Sequence, residues 1–134
     1  MNYYMSATLP ISFGEALERA EEALKKEGFG IISQIDIQNA LKTKIGVDYR
    51  PYTILGACNP TLAYEALQIE DKVGTMLPCN VVVQELGPLQ VEVAAINPVA
   101  SMQAIENDEL TKAAQEVRTR LGRVIESLGG FSRE

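Results

Sequence analysis

The segment that decides the fold is CNVVVQELGPLQVEVAAI, residues 79–96. It begins with a near-continuous valine run, which is typical of a strand that lies in the middle of a sheet. Gly87-Pro88 indicates a turn, and the residues from Gln90 to Ile96 form a further strand. We therefore expect a β-hairpin over residues 79–96.

Alternating and helical patterns outside this hairpin predict the remaining elements. Period-2 alternation predicts strands over residues 2–9 and 29–35, and residues 52–58 form a third strand before the hairpin. Four helices and one short helical turn are expected to begin at capping residues, which are Ser12, Asp36, Asn59, Asn97, and Asn107 or Asp108. Residues 71–78 are typical of a loop. We predict one α+β domain over residues 1–130, with a sheet of about five strands, helices packed on one face, and a disordered tail over residues 131–134.

Composition excludes several classes of protein. The 134 residues include no His, so a Ser-His-Asp or Cys-His catalytic set and the usual imidazole zinc sets are excluded within one chain. The net charge of −6 argues against nucleic-acid binding, because neutralising phosphates requires a basic surface. No nucleophile is paired with a base at a recognisable spacing, so the sequence argues against an enzyme. It indicates no metal and no cofactor.

The sequence also predicts a cytoplasmic protein. Its start, MNYYMS, has no basic segment before an apolar one, which argues against a signal peptide, and no apolar stretch is long enough to cross a membrane. Two Cys residues do not make a disulfide scaffold. We expect two reduced thiols and no interaction with a membrane.

The two cysteines carry the sharpest functional signal, because both precede an Asn at the end of a predicted strand. Cys58-Asn59 lies just before a helix N-terminus, where the peptide dipoles stabilise a thiolate. Cys79-Asn80 follows a proline. If the two strands are neighbours, these residues would form a ligand-binding or redox-sensitive site. The alternative is that both thiols are ordinary core residues, as free cysteines often are.

A polar connector, Asp48-Tyr49-Arg50-Pro51-Tyr52, supplies two more candidates. Functional residues favour such loops, so we include Arg50 and Tyr52 in the predicted ligand site. Arg50 would clamp a carboxylate with two hydrogen bonds. Alternatively, Arg50 forms a surface pair with Asp48 or with an acidic helix face.

The last helix predicts a homodimer. Its apolar stripe is wider than a solvated surface helix needs, and much of the stripe must cover the sheet. What remains, together with Tyr3 and Tyr4, would serve as the interface with a second copy.

The motifs YRPYTILGACNP (residues 49–60) and LPCNVVV (residues 77–83), supported by Phe29-Gly30-Ile31 and Ile35-Asp36, resemble those of the domain of unknown function 302 family. The resemblance covers nearly the whole chain. It implies a mainly antiparallel sheet with helices, similar to half of a TATA-binding protein, in a cytosolic homodimer of uncharacterised function. Members often carry Asp-Pro where this chain has Asn97-Pro98, and Asn and Asp cap helices about equally well.

Two hypotheses about function remain open at this point. The first is a small cytosolic homodimer that binds a small ligand, or responds to redox state, at Cys58, Asn59, Cys79, Asn80, Arg50 and Tyr52. The second is a structural or interaction protein in which both cysteines belong to the core.

Overall fold

Five antiparallel strands form one sheet in the computed structural model, which describes residues 2–130. Their bounds in chain order are β1 Tyr4–Leu9, β2 Gly30–Asp36, β3 Tyr52–Cys58, β4 Cys79–Gly87 and β5 Gln90–Ile96. The spatial order is β1-β5-β4-β3-β2, so the valine-rich strand β4 is central, as predicted. The predicted hairpin is the β4–β5 pair. The tail predicted at residues 131–134 lies outside the described residues.

The helices begin where the capping residues predict. Their bounds are α1 Phe13–Lys26, α2 Ile37–Ile45, α3 Pro60–Ile69, α4 Pro98–Ser101 and α5 Asp108–Ser127. At each start, a side-chain oxygen of the residue before the helix accepts a hydrogen bond from a first-turn N–H group; these residues are Ser12, Asp36, Asn59, Asn97 and Asn107. The cap of α5 is therefore Asn107, which settles the choice between Asn107 and Asp108.

The segment predicted as a loop over residues 71–78 is a 3-10 helix over Asp71–Met76, so that prediction was wrong. A Glu70 carboxylate oxygen accepts from the Lys72 N–H at 2.9 Å, and the Thr75 hydroxyl donates to the Lys72 carbonyl at 2.9 Å. These two short-range bonds hold the tight turn, although the sequence lacks helical apolar periodicity there. The first strand also begins at Tyr4 rather than at residue 2.

Helices α1 and α5 cover one face of the sheet and bury its main core. Alternation along the strands turns one set of side chains towards these helices, and that set is buried: Met5, Ala7, Leu9, Leu55, Ala57, Cys79, Val81, Val83, Val91, Val93 and Ala95. Leu24 of α1 and Leu121 of α5 pack against them and are fully buried. The prediction of a sheet with helices on one face is confirmed.

A second, smaller core lies under α3, the 3-10 helix, α4 and the first half of α5. Its buried residues are Ala66, Val73, Met102, Leu110 and Ala114. Helix α5 therefore takes part in both cores, with its N-terminal half in the small one and its C-terminal half in the main one. This division leaves a space between the cores, beside the ends of β3 and β4.

Candidate functional site

A cavity of about 340 Å³ occupies the space between the two cores. Its wall contains members of both, including Phe29 and Cys79 from the main core and Met102 and Leu110 from the smaller one. None of the 19 lining residues carries a charge. The volume lies within the range of small-molecule sites and far exceeds the voids that packed interiors tolerate.

The cavity exists because small side chains face it from two helices. Ala63 and Ala66 line it from α3, and Ala113 and Ala114 line it from α5. Helix α3 packs against α5, so four methyl groups stand where larger side chains would meet and fill the space.

A β-bulge provides part of the rim. Ile31 pairs with Ala57 and Ser33 pairs with Gly56, so Ile32 is the extra residue of β2. A bulge redirects a side chain, and Ile32 lines the cavity while remaining 64% exposed. Leu67 of α3 is another lining residue and is 40% exposed. The cavity therefore opens to solvent beside apolar side chains.

Both cysteines line this cavity, as their positions on neighbouring strands predict. Neither forms a disulfide; Cys79 is buried and Cys58 is half-buried. The pKa of the Cys79 thiol is raised from 9.0 to about 11. Burial is the larger cause, and the electrostatic effect of nearby Cys58 is the smaller one. Cys79 therefore presents a neutral S–H group to the cavity at neutral pH.

Asn59 is the third polar residue of the wall. Its Oδ1 accepts a hydrogen bond from the Leu62 N–H at 3.2 Å, which caps α3. Its Nδ2 lies beside Gly28, where a Cβ atom would come within 2.8 Å of it. The cap fixes the orientation of the amide and leaves the Nδ2 end for another partner.

The other three candidates lie elsewhere, on the face of the sheet opposite α1 and α5. Asn80 follows Cys79 on β4, so its side chain points away from the cavity. Asn80 and Tyr52 line a separate groove of about 330 Å³ with Tyr3, Tyr4 and Glu92. The six predicted residues thus divide into a cavity group, Cys58, Asn59 and Cys79, and an open-face group, Arg50, Tyr52 and Asn80.

Arg50 is held by a small network on that open face. Its guanidinium donates to Gln84 Oε1 at 3.2 Å and lies over the Tyr49 ring, 4.6 Å from the centroid. Gln84 Nε2 in turn donates to Glu92 at 3.0 Å. Asp48, the alternative partner for Arg50, instead pairs with Lys42 at 2.8 Å. The pKa of Tyr52 is raised, first by burial and then by Tyr49 and Glu92. The Arg50 guanidinium acts in the opposite direction and lowers it.

Sequence reasoning missed most of the cavity wall. The predicted site includes none of Ala63, Ala66, Met102, Leu110 and Val117, all of which line the cavity. The sequence signal for the cavity is the small size of the residues on the facing sides of α3 and α5.

Among residues 2–130, no group of three or more His, Cys, Asp or Glu side chains is placed to hold a metal ion.

The stripe on α5 that suggested a homodimer is largely used within the chain, where Leu110, Ala114, Leu121, Val124 and Ile125 are buried. Tyr3 and Tyr4 are exposed and meet edge to face, with ring centroids 5.0 Å apart. Dimerisation itself stays a prediction.

Within the described residues, no helix is both long enough and apolar enough to serve as a membrane span.

A five-stranded antiparallel sheet, covered on one face and flanked by an uncharged cavity, defines the class as a small α+β domain. The family model described as "Domain of unknown function DUF302" matches residues 5–128, and this chain belongs to that family. The family resemblance predicted from the motifs is therefore confirmed.

One solved structure is similar over almost its whole length. It is the crystal structure of an uncharacterized conserved DUF302 protein from Bacillus stearothermophilus, with 28% sequence identity and a TM-score of 0.87. The match covers 94% of this chain and 98% of the other. Comparison with curated proteins finds no significant match.

Proposed function

We propose that this protein binds a small, neutral, largely apolar molecule in the cavity between its two cores. The observation that carries the proposal is a space of about 340 Å³ whose 19 lining residues include no charged side chain. At about 30 Å³ per water-sized group, it accommodates roughly 11 non-hydrogen atoms. Apolar pockets with a few polar groups are the usual form of small-molecule sites.

The thiols fit this proposal as part of the wall. Cys79 is protonated at neutral pH, because its pKa is raised from 9.0 to about 11 and both values lie above 7, so it adds no charge that a neutral ligand would have to face. Two reduced thiols also suit the cytoplasm, where we place the protein. Among residues 2–130, no carboxylate or cation lines the cavity for acid–base chemistry, so its wall suits binding better than catalysis.

A redox-sensitive thiol pair is the alternative role for this site, and the strand register disfavours it. Cys79 is paired with Ala57, so Cys58 is one residue out of register on the neighbouring strand. Adjacent residues of a strand point to opposite faces, whereas a disulfide needs two Cβ atoms that point towards each other. A protonated thiol is also a weak nucleophile for exchange.

Naphthalene tests the proposed function, because it is neutral, fluorescent and comparable in size to the cavity. We expect saturable one-to-one binding to the wild-type protein. Ala63→Leu places a larger side chain in the cavity and should weaken binding about tenfold or more, because the leucine occupies volume that the ligand needs.

Gln68→Leu is the matched control, since it adds a leucine to an exposed position of α3 that does not line the cavity. It should bind naphthalene as the wild-type protein does. Absence of saturable binding, or equal affinity in Ala63→Leu and wild type, would contradict the proposal.

We further propose that a second copy of the chain covers the open face of the sheet. In support of this, Ala94, Val82, Ile54 and Ile35 are consecutive cross-strand partners and form an apolar row over four strands. Ile35 is 48% exposed, and Tyr4 and Tyr52 flank the row. A two-fold contact between two such faces would bury the row in both copies.

Light scattering after size exclusion tests this arrangement. The wild-type protein should have the mass of a dimer, and Val82→Lys should shift it to a monomer because a charge enters the middle of the row. Ile45→Lys adds the same charge at an exposed position on α2 and should remain dimeric. A monomeric wild type, or a dimeric Val82→Lys, would contradict this placement.

A further inference from the structure

The β3–β4 segment, residues 59–78, forms one wall of the cavity and leaves the sheet at a single place. Strand β3 ends at Cys58 and β4 begins at Cys79, and the two strands pair there through Ala57 and Cys79. The segment contains α3 and the 3-10 helix. Because its two ends are neighbours, it is able to swing outward without breaking a strand pairing.

The hydrogen bonds of the segment are internal. Within residues 2–130, every hydrogen bond and ion pair of residues 60–77 joins two members of the β3–β4 segment. The first turn of α3 is capped by Asn59, and the 3-10 helix is capped by Glu70. Outward movement therefore costs the segment none of its hydrogen bonds.

Apolar packing against α5 and the residues after α4 holds the segment in place, and this packing is small. Helix α3 buries only Ala66, and the 3-10 helix buries only Val73. These two side chains share the smaller core with residues that do not lie on any strand, namely Met102, Leu110 and Ala114. Segments held by few buried contacts open locally at a lower free energy than the rest of a protein.

The cavity lies within this same contact and weakens it. Ala63 and Ala66 line the cavity from the segment, and Ala113 and Ala114 line it from α5. Atoms that face an empty space have no partner on that side and lose their dispersion contacts. A ligand that touches both walls restores those contacts.

The solvent opening of the cavity is also bounded by the segment. Ile32 of β2 and Leu67 of α3 line the cavity and are both exposed. Outward movement of α3 separates Leu67 from Ile32 and widens the opening.

We propose that the β3–β4 segment is a lid that opens as one unit about its two adjacent ends, and that an apolar ligand closes it by packing between the lid and α5. This inference rests on the proposed function and adds the step by which the ligand enters and leaves. The ligand favours the closed state because only that state brings both walls against it, and a ligand shifts an equilibrium by its differential affinity for the two states.

Hydrogen exchange measured by mass spectrometry tests the lid, with naphthalene as the ligand. Without ligand, the amides of α3 and the 3-10 helix should exchange more than about tenfold faster than those of β4. Saturating naphthalene should slow the lid amides about tenfold. Helix α2, which has no buried residue and does not line the cavity, is the internal control and should keep its exchange rate.

Two valine variants distinguish opening of the lid from unfolding of the whole protein. Val73 and Val91 are both fully buried and do not line the cavity, but Val73 belongs to the lid and Val91 to the main core. Val73→Ala should speed exchange of residues 60–77 about tenfold, because it weakens the packing that opening breaks. Val91→Ala should speed exchange of β4 and leave residues 60–77 at the wild-type rate, because the contacts of Val91 persist when only the lid opens.

The outcomes also separate the lid from the proposed function. If naphthalene does not bind, the proposed function fails, and closure of the lid by a ligand fails with it. If naphthalene binds but leaves exchange of the lid unchanged, or if Val91→Ala accelerates residues 60–77 as much as β4, the lid is overturned and the proposed function stands.

Discussion

Cys79 lies opposite Ala57 across the antiparallel pair of β3 and β4, one residue out of register with Cys58. Both thiols nevertheless line one cavity, because β3 ends at Cys58 and β4 begins at Cys79. The two strand ends thus bring the cysteines to one site without setting them up as a cross-strand pair.

This register predicts that the native protein resists internal disulfide formation. Treatment with diamide should leave no Cys58–Cys79 bond in the folded protein, because their side chains leave the ladder on different faces. Mass spectrometry of the intact protein and of its peptides measures this directly. The same treatment in denaturant provides the control, since the unfolded chain is free to form the bond. Rapid formation of the bond with retention of the native circular dichroism would contradict the register argument.

The raised pKa of Cys79 predicts a loss of stability at alkaline pH. Folding raises this pKa from 9.0 to about 11, so the folded state holds the proton more tightly than the unfolded state. The resulting stabilisation is present below pH 9 and disappears as the pH rises to about 11. Two pKa units correspond to roughly 2–3 kcal/mol of the free energy of unfolding.

Urea denaturation of wild type and Cys79→Val across this pH range isolates the contribution of the Cys79 thiol to the free energy of unfolding. The variant should lose less stability on going from pH 9 to 11, while other titrating groups act equally in both proteins. Cys58→Ser retains the Cys79 thiol and should keep most of the wild-type dependence. Identical pH profiles for wild type and Cys79→Val would show that Cys79 is not held in the protonated form.

Most of the fold was predictable because its signals are local. Ser12, Asp36 and Asn59 each cap the helix that follows within one turn, and the valine run of residues 81–83 marks the central strand. The strand order was not predictable, since β1 pairs with β5, whose residues lie more than 80 positions later along the chain. The 3-10 helix at residues 71–76 depends on the individual bonds made by Glu70 and Thr75, which periodicity does not reveal.

Gly56 is predicted to tolerate no side chain. A Cβ atom there would lie 2.1 Å from Ser33 Oγ and 2.7 Å from Pro78 Cγ. Gly56→Ala should lower the free energy of unfolding by about 1–3 kcal/mol in urea denaturation, as overpacking does. Gly30→Ala on the neighbouring strand β2 should be close to neutral, because nothing lies within 4 Å of the added Cβ.

Adding Ser33→Ala to Gly56→Ala removes the nearer of the two clashing atoms. The double variant should recover part of the lost stability, while Pro78 keeps the recovery incomplete. A Gly56→Ala protein as stable as wild type would mean that β2 and β4 approach β3 less closely at this position than the structure shows.

Asn97 is predicted to matter more than an ordinary helix cap. It is fully buried, its Oδ1 accepts from the Val99 N–H at 3.1 Å, and its Nδ2 donates to the Asn2 carbonyl at 3.1 Å. Asn97→Ala should lower the free energy of unfolding by about 2–4 kcal/mol, since it removes the cap and leaves buried partners unsatisfied. Asn107→Ala, at an exposed cap, should cost only about 1 kcal/mol.

Asn97→Asp separates the two bonds, because aspartate retains the cap and loses the donor to Asn2. The cap alone suggested from sequence that asparagine and aspartate would be equivalent here, whereas the second bond predicts that aspartate destabilises the protein. Equal stability of Asn97→Asp and wild type in urea would show that the bond to Asn2 contributes little.

The candidate site was only half predictable. The matched Cys-Asn pairs lie at the ends of β3 and β4, where both thiols line the cavity, but side chains alternate along a strand, so Asn80 lies on the face opposite Cys79. Applying that alternation would have separated Asn80 from the thiols. The cavity was beyond prediction, because its wall joins residues as distant as Phe29, Leu67 and Val117, and its volume depends on packing between two cores.

The most direct test of the central claim is where a bound ligand lies. Nuclear Overhauser effects between naphthalene and methyl-labelled protein report that position atom by atom. We predict contacts to the methyl groups of Ala63, Met102 and Leu110, which line the cavity from α3, the segment after α4, and α5. Contacts to Val82 and Ile96 on the open face of the sheet, with none to the cavity residues, would contradict the account.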